Sequence, residues 1–527
     1  MYDVFLSYRR DSSSEFASFL CLELERLGYS VFFDSQSLRE GPFEKHITAA
    51  IEECTFFLLL LAPHDLDRCL ENPESDWILK ESKKAMECGK VFIPVQVKKG
   101  FEFPMNTDNS IIKFISEQNI CDLSGTHAAE KITSTLLTFM NDYPAKQLTE
   151  EYNATIVTQE YIDWELDTLK SIYNDIEFIY AFGRHYPSFV IEGSKSITYP
   201  FTELTKEENL DTIKEELPYQ EYEHFHNFRK IVGPNIHYPN LYGYTAAGYI
   251  FDNENKISSI KAIPRKYKET VYSCHILQYE LWETYKRLEG KRLATLEDMP
   301  MRKRIHGSKN NLDIVLSGCN RSSLFDVTIA VIIYNPITEE YGVASAQRSK
   351  KVATYPGYFG FVPSGGFELY ELEETQTETI IKQNFSVVSA LYREYIEEIF
   401  GDENFDNPTG NDDLNRLYRN NKIKGLRKGI KNKQYKFEFL GIDFDLVTLR
   451  QSIAFAIRID DEDFFYDNEF KKNNENVFLR FESLEKLENY IIKEKIPVMN
   501  ETASTYYLLK NHTLFKEIVD NNFQLIE

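Results

Sequence analysis

Two sets of residues in this chain have the types and spacing to do chemistry. The first is Trp77 and Glu81. An i,i+4 pair shares one helix face, so an indole would lie beside a carboxylate. Arg9 and Arg10 follow one apolar segment. Asp34 follows a second, and Phe43 lies beyond the intervening loop 35–41. Together they suit a ligand that combines a flat ring, a pyrophosphate and a cationic leaving group. Singly, each has a plainer role: Glu81 a solvated carboxylate, Trp77 core packing, Arg9 and Arg10 surface charges, Asp34 a strand-end cap. The second set is Glu394, Glu397 and Glu398, spaced i, i+3 and i+4. On one helix face these carboxylates repel unless a cation joins them, and hard oxygen ligands suit Mg²⁺ with a pyrophosphate. A solvated acidic helix is the plainer reading of Glu397 and Glu398 alone.

The elements that must position the first set alternate. Tyr2–Tyr8 reads as a strand. Phe16, Phe19, Leu20, Leu22, Leu24 and Leu27 follow at roughly helical spacing, and Gly28 stops that helix. Tyr29–Phe33 is a strand, Pro42–Ile51 a helix, and Phe56–Leu61 a strand apolar at every position. Such a strand is buried on both faces of a parallel sheet. Asp76–Met86 is a helix and Val91–Val97 a strand. This order predicts a doubly wound parallel α/β sheet, with ligands beyond the carboxyl ends of its strands. The chemically distinctive residues fall just after those ends.

Tyr2-Asp-Val-Phe-Leu-Ser-Tyr-Arg-Arg10, Val31-Phe-Phe-Asp34, Gly41-Pro-Phe43 and Asp76-Trp77 with Lys80-Glu81 resemble the TIR domain family. The likeness is to TIR domains of the animal axon-degeneration NADase type and to bacterial immune TIR effectors. It covers nearly all of residues 2–141, including Leu66-Asp-Arg-Cys69 and Gly100-Phe-Glu-Phe-Pro104. The resemblance implies a flavodoxin-like sheet, with Glu81 as the catalytic carboxylate. It implies NAD+ contacts from Tyr8, Arg9, Arg10, Asp34, Phe43, Trp77 and Phe103, and a homo-oligomer built by TIR self-association. Two positions depart from the family pattern: Arg39 stands where an acidic loop residue is expected, and Phe103 where a tryptophan is. The implied reaction, release of nicotinamide from NAD+, passes through an oxocarbenium-like centre that one carboxylate can stabilise. Nicotinamide departs neutral, so no general acid is needed. NAD+ is then a substrate, and the reaction needs no cofactor. Many TIR domains are scaffolds without activity, and a signalling scaffold is the rival reading.

Toward the C-terminus, Phe325–Tyr334 and Phe359–Val362 read as strands. Gly365-Gly366-Phe367-Glu368, Glu371 or Glu373, and Arg393-Glu394 with Glu397-Glu398 and Gly401 resemble the Nudix family. The resemblance implies a mixed α+β domain that senses or cleaves a nucleotide, with Mg²⁺ on Glu394, Glu397 and Glu398. An insertion before Arg393 and one extra residue, Phe400, depart from the motif. A Nudix pyrophosphatase carrying a TIR adaptor is a third reading. Arg416 to Lys436 holds nine lysines and arginines and no acid. Its plainer reading is a solvated loop; its functional reading is a site for a phosphorylated ligand.

The 527 residues suggest about three domains: a TIR domain over 1–142, a linker and mixed connecting region over 143–240, and a Nudix-like α+β domain with an N-terminal extension over 241–527, its core about 325–527. No motif in 143–325 identifies chemistry. A net charge of -23 disfavours nucleic acid and anionic membrane as partners. Seven cysteines without a CxxC pair read as reduced thiols in a cytoplasm. The expected partners are NAD+, a nucleotide activator and further copies of the chain.

Overall fold

A computed structural model describes residues 2–26, 29–33, 43–73, 75–88, 90–104, 107–125, 128–137, 140, 151–195, 204–211, 242–350, 352, 354–369, 377–401, 414–468, 470 and 476–516. Contacts divide the chain into two units. One comprises Met1–Glu151 with His226–Pro239, the other Tyr152–Phe225 with Asn240–Glu527.

In the first unit, strand and helix alternate as the hydrophobic pattern predicts. The strands are β1 (Val4–Ser7), β2 (Val31–Phe32), β3 (Phe56–Leu61), β4 (Val91–Gln96) and β5 (Cys121–Asp122). The helices are α1 (Arg10–Arg26), α2 (Phe43–Glu53), α3 (Asp65–Glu71), α4 (Trp77–Glu87) and α5 (Ser110–Ser116). The strand order is β2-β1-β3-β4-β5, and every pairing is parallel. Side chains of a strand alternate between faces, so the apolar run of β3 divides. Phe56, Leu58 and Leu60 pack with Leu20 and Leu24 of α1. Phe57, Leu59 and Leu61 pack with Ile47 and Ile51 of α2 and with Ile78 and Leu79 of α4. Each fully buried side chain of this size contributes about 1.5–3 kcal/mol. The strand therefore locks both helical layers at once. The short elements α3, α5 and β5 carry too little periodicity to be read from sequence.

The second unit is built on an eight-stranded mixed sheet. Ahead of it lie the two-residue strands β6 (Tyr180–Ala181) and β7 (Arg184–His185), then β8 (Ser188–Glu192), and the hairpin β9 (Tyr242–Phe251) and β10 (Ile257–Lys266). The sheet's other strands are β11 (Asp326–Asn335), β12 (Glu340–Arg348), β13 (Phe359–Phe361), β14 (Ser364–Gly366), β15 (Tyr435–Asp445), β16 (Gln451–Ile459) and β17 (Asn476–Glu482). The main path runs β13-β12-β11-β16-β15-β8, with β14 on β11 and β17 on β12. Among the described strands of this sheet, β11 and β16 alone pair in parallel. The region 143–240, read from sequence as linker and mixed connection, supplies β8, which pairs with β15, and helix α6 (Gln159–Ile172). Helix α7 (Val387–Phe400) carries the clustered glutamates. The basic stretch is not a loop: Leu414–Arg419 and α8 (Asn421–Lys431) are helical, because Ile423, Leu426 and Ile430 give α8 a buried stripe. Helix α9 (Asn500–Asn511) covers a core that includes Ala330, Ile332, Val343, Phe359 and Phe361. Among the described residues, no helix is long and apolar enough to cross a membrane.

Candidate active site

The strand order reverses direction around β1, which lies between β2 and β3. In open α/β sheets this switch point, at the carboxyl ends, is where a crevice opens. Ser7 is the last residue of β1, and Tyr8, Arg9 and Arg10 leave the sheet there.

Glu81 sits one turn into α4, whose N-cap is Asp76: its Oδ1 accepts from the Leu79 amide at 3.2 Å. Ile78, Leu79, Ser82 and Ala85 bury one face of this helix. Glu81 is half-buried, and Trp77 is 41% exposed, with Lys80 Nζ 5.0 Å from its ring centroid. Trp77 and Glu81 stand four residues apart on α4, one turn of the same helix. Ser7 Oγ donates to Glu81 Oε2 at 2.6 Å, and Ser7 is only 1% exposed. The end of β1 therefore holds the carboxylate of α4 from across the sheet. Sequence reasoning missed Ser7, although it stands one residue before Tyr8 in the opening motif.

Arg9 reaches into the protein. Its Nε donates to the Asp65 carbonyl at 3.0 Å, and its Nη2 donates to Cys69 Sγ at 3.0 Å and to Asp76 Oδ2 at 2.8 Å. Burial works against its charge, but the Asp76 carboxylate outweighs that and raises the guanidinium above its ordinary value. Asp65 Oδ2 accepts from the Ala62 amide at 2.8 Å. Burial raises the Asp65 carboxyl, opposed by that amide and Ser12. Burial and then Asp76 push the Cys69 thiol up to about 12, so it stays protonated. Of the two arginines expected to contact NAD+, either of which could hold a phosphate, Arg9 has these groups engaged within the protein. Its Nε and Nη2 tie β1, α3 and the N-terminus of α4 together. Arg10, the first residue of α1, is exposed.

Tyr8 stacks on Phe33 with ring centroids 5.5 Å apart. Phe103 meets Phe101 edge-on at 5.1 Å and packs against the α2–α4 layer of the core. Phe43 is the first residue of α2, but its side chain falls outside the description. Asp34, Arg39 and the loop 35–42 lie outside the described residues. The structure therefore gathers Ser7, Trp77 and Glu81 and gives Arg9 a separate task.

The second set lies on α7, where Arg393, Glu394, Glu397 and Glu398 are all buried. Arg393 donates to Glu394 Oε1 through Nε (3.0 Å) and Nη2 (2.6 Å), and its Nε lies 4.0 Å from Glu397. It also donates to the Gly366 carbonyl. Burial opposes its charge, and Glu394, Glu397 and Glu368 outweigh it and raise its pKa. Glu398 Oε2 accepts from the Ser364 amide at 2.9 Å. At Gly365 an added Cβ would lie 2.1 Å from Glu394 Oε2, so a side chain there would push the Glu394 carboxylate out of its place. The three carboxylates share a helix face, as their spacing predicts; Arg393 meets Glu394 and Glu397, and the Ser364 amide meets Glu398. Among the described residues, no group of three or more His, Cys, Asp or Glu side chains is arranged to hold a metal. Of the three expected Mg²⁺ ligands, Glu394 and Glu397 thus face the Arg393 guanidinium and Glu398 a backbone amide. Glu371 and Glu373 lie outside the described residues.

A family profile described as TIR domain matches residues 4–136. Over 120 residues the chain is 38% identical to the protein named NAD(+) hydrolase tir-1 of Caenorhabditis elegans, a match covering 22% of this chain and 12% of that protein. It is 37% identical over 94 residues to NAD(+) hydrolase SARM1 of Danio rerio, covering 18% of this chain and 13% of the relative. It is 35% identical over 103 residues to NAD(+) hydrolase sarm1 of Drosophila melanogaster, covering 19% and 8%. The matched stretch spans at most 13% of the length of these relatives. With the parallel sheet and the motifs in register, residues 4–136 are a TIR domain resembling those of the NAD(+) hydrolases.

Proposed function

We propose that the N-terminal unit is an NAD+ glycohydrolase, cleaving NAD+ to nicotinamide and ADP-ribose or a cyclic form. The observation that carries this reading is the Glu81 carboxylate, held by Ser7 at 2.6 Å beside the half-exposed Trp77 at the switch point of the sheet. As the glycosidic bond breaks, positive charge develops at the anomeric carbon, and a fixed carboxylate stabilises it more than the ground state. Trp77 supplies an aromatic face for the departing pyridinium ring. Arg10, at the carboxyl end of β1, is the exposed guanidinium suited to a phosphate. Arg9 contributes by fixing the N-terminus of α4. The relatives' names support the same substrate.

The proposal extends to the second unit as a Nudix-like regulatory domain. It is supported by the close approach of Gly365 to Glu394 and by the Arg393 and Glu398 contacts to β14. The engagement of its carboxylates by protein groups favours nucleotide sensing over metal-assisted hydrolysis. A self-associating immune effector, switched on when a nucleotide binds, is the role the fusion suggests.

The test is nicotinamide release from NAD+ by the full chain, with and without candidate nucleotides. Turnover that is lost in Glu81→Ala is the expected result. No turnover in any oligomeric state would sink the enzymatic reading and leave the scaffold.

A further inference from the structure

The stretch from Arg416 to Lys436 takes no part in the chemistry above. It concentrates nine cationic residues in a chain with 83 acids and 60 bases. Helix α8 buries Ile423, Leu426, Gly429 and Ile430. At 100° per residue, Lys424, Lys428 and Lys431, spaced i, i+4 and i+7, fall on the opposite side, and all three are exposed. Two other cations are occupied: Lys422 Nζ donates to Asn468 and lies 4.9 Å over the Phe400 ring, and Arg427 lies 5.0 Å over Tyr418. Lys424, Lys428, Lys431 and Lys433 form no ion pair with any described residue. Lys431 and Lys433 are therefore available to a ligand at the end of α8.

These lysines adjoin a cavity of about 530 Å³, within the range of small-molecule sites. Lys431, Lys433 and Lys436 line it, together with the rings of Tyr435 and Phe437. The wall is built by specific packing. A Cβ at Gly429 would lie 2.3 Å from the Tyr435 ring, so glycine lets that ring close against α8. The Tyr435 hydroxyl donates to Asp461 Oδ2 at 3.2 Å and anchors the ring at its far end. Glu438 is the one acid among the lining residues.

We propose that this cavity binds a small phosphorylated ligand carrying a flat ring, of the nucleoside mono- or diphosphate class. Lys431, Lys433 and Lys436 receive the phosphates, and the Phe437 and Tyr435 wall receives the ring. Glu438 in the lining and the chain's net charge of -23 limit the negative charge the site accepts, which disfavours an extended polyanion. The site is separate from Glu81 and from the α7 glutamates, and it does not depend on the reading of either.

The experiment is titration calorimetry on the full chain with inorganic pyrophosphate, AMP and ADP as probes. Lys431→Glu with Lys433→Glu alters two exposed side chains, and an unchanged melting temperature verifies the fold. ADP is expected to bind with one-to-one stoichiometry, more weakly as salt is added. The double variant is expected to lose about tenfold or more in affinity. Phe437→Ala is expected to weaken ADP and spare pyrophosphate. Lys261→Glu, an exposed charge reversal on β10 outside the cavity lining, is expected to leave ADP binding unchanged. Equal ADP affinity in the double charge-reversal variant, or no heat at millimolar ADP, would overturn the proposal. So would an equal loss of binding in Lys261→Glu, or tighter binding of single-stranded RNA that grows with its length.

Discussion

Ser7→Ala isolates the contact on which the proposed chemistry depends. The hydroxyl donates to Glu81 Oε2 at 2.6 Å, a charge-assisted geometry, and it comes from β1, 74 residues away in sequence. A hydrogen bond to an ionised group contributes about 1.5–3 kcal/mol. If that interaction holds the carboxylate where charge develops, its loss lowers kcat by about 10- to 150-fold. KM is expected to change little, because the ring and phosphate contacts come from other residues. Stability is expected to fall by only about 1 kcal/mol, because Glu81 is half-buried and water can replace the donor. The assay is nicotinamide release at saturating NAD+, alongside a thermal melt. Ser7→Thr, which keeps the hydroxyl, is expected to recover much of the rate. In a Glu81→Ala background, Ser7→Ala is expected to have no further effect, since the two residues act as one unit. An unchanged kcat in Ser7→Ala, with Glu81→Ala inactive, would refute the reasoning. A rate loss matched by a large fall in melting temperature would assign Ser7 a purely structural role.

Arg9→Ala is expected to act on stability: it leaves Asp76 without its ion pair at 2.8 Å, and breaking a buried pair costs about 3–5 kcal/mol. Arg10→Ala is expected to spare the melting temperature and raise KM for NAD+; the reverse pattern would return Arg9 to the phosphate. Burial raises the Glu165 carboxyl from 4.5 to about 7, with the Tyr161 hydroxyl opposing the shift at 3.0 Å. Between those values the unfolded chain gives up a proton that the folded chain keeps, so this group's contribution to stability falls as pH rises and levels off above 7. Glu165→Gln is therefore expected to gain on the parent by up to about 3 kcal/mol across that window. Denaturant unfolding at pH 4.5 and 7.5 measures the difference, and parallel pH curves would refute it.

The sequence was most legible where one stretch of chain encodes both the element and its burial. Phe56–Leu61 reads as a strand covered on two faces, and it is one. Asp76–Met86 reads as a helix, observed as Trp77–Glu87 with Asp76 as its cap. The placing of Trp77 beside Glu81 follows from helical spacing alone. The strand β8 was not legible, because its partner β15 lies some 250 residues on and only pairing identifies it. The basic stretch was read as a loop because its many charges masked the apolar positions 423, 426 and 430 that make α8 amphipathic.

Charge was where spacing failed. By itself the sequence determined the TIR sheet, the face shared by Trp77 and Glu81, and the face shared by the three glutamates of α7, since these follow from periods of 2 and 3.6 residues. Only the tertiary structure decided which charges meet. Arg9 is an arginine next to an arginine in sequence, yet one turns inward to Asp76 and the other stays in solvent. The glutamates of α7 asked for a cation, and the fold answered with Arg393. Ser7 became a partner of Glu81 because β1 and α4 converge at one end of the sheet. Local periodicity sets which way a side chain points; which ion or donor it finds there depends on elements brought together from far along the chain.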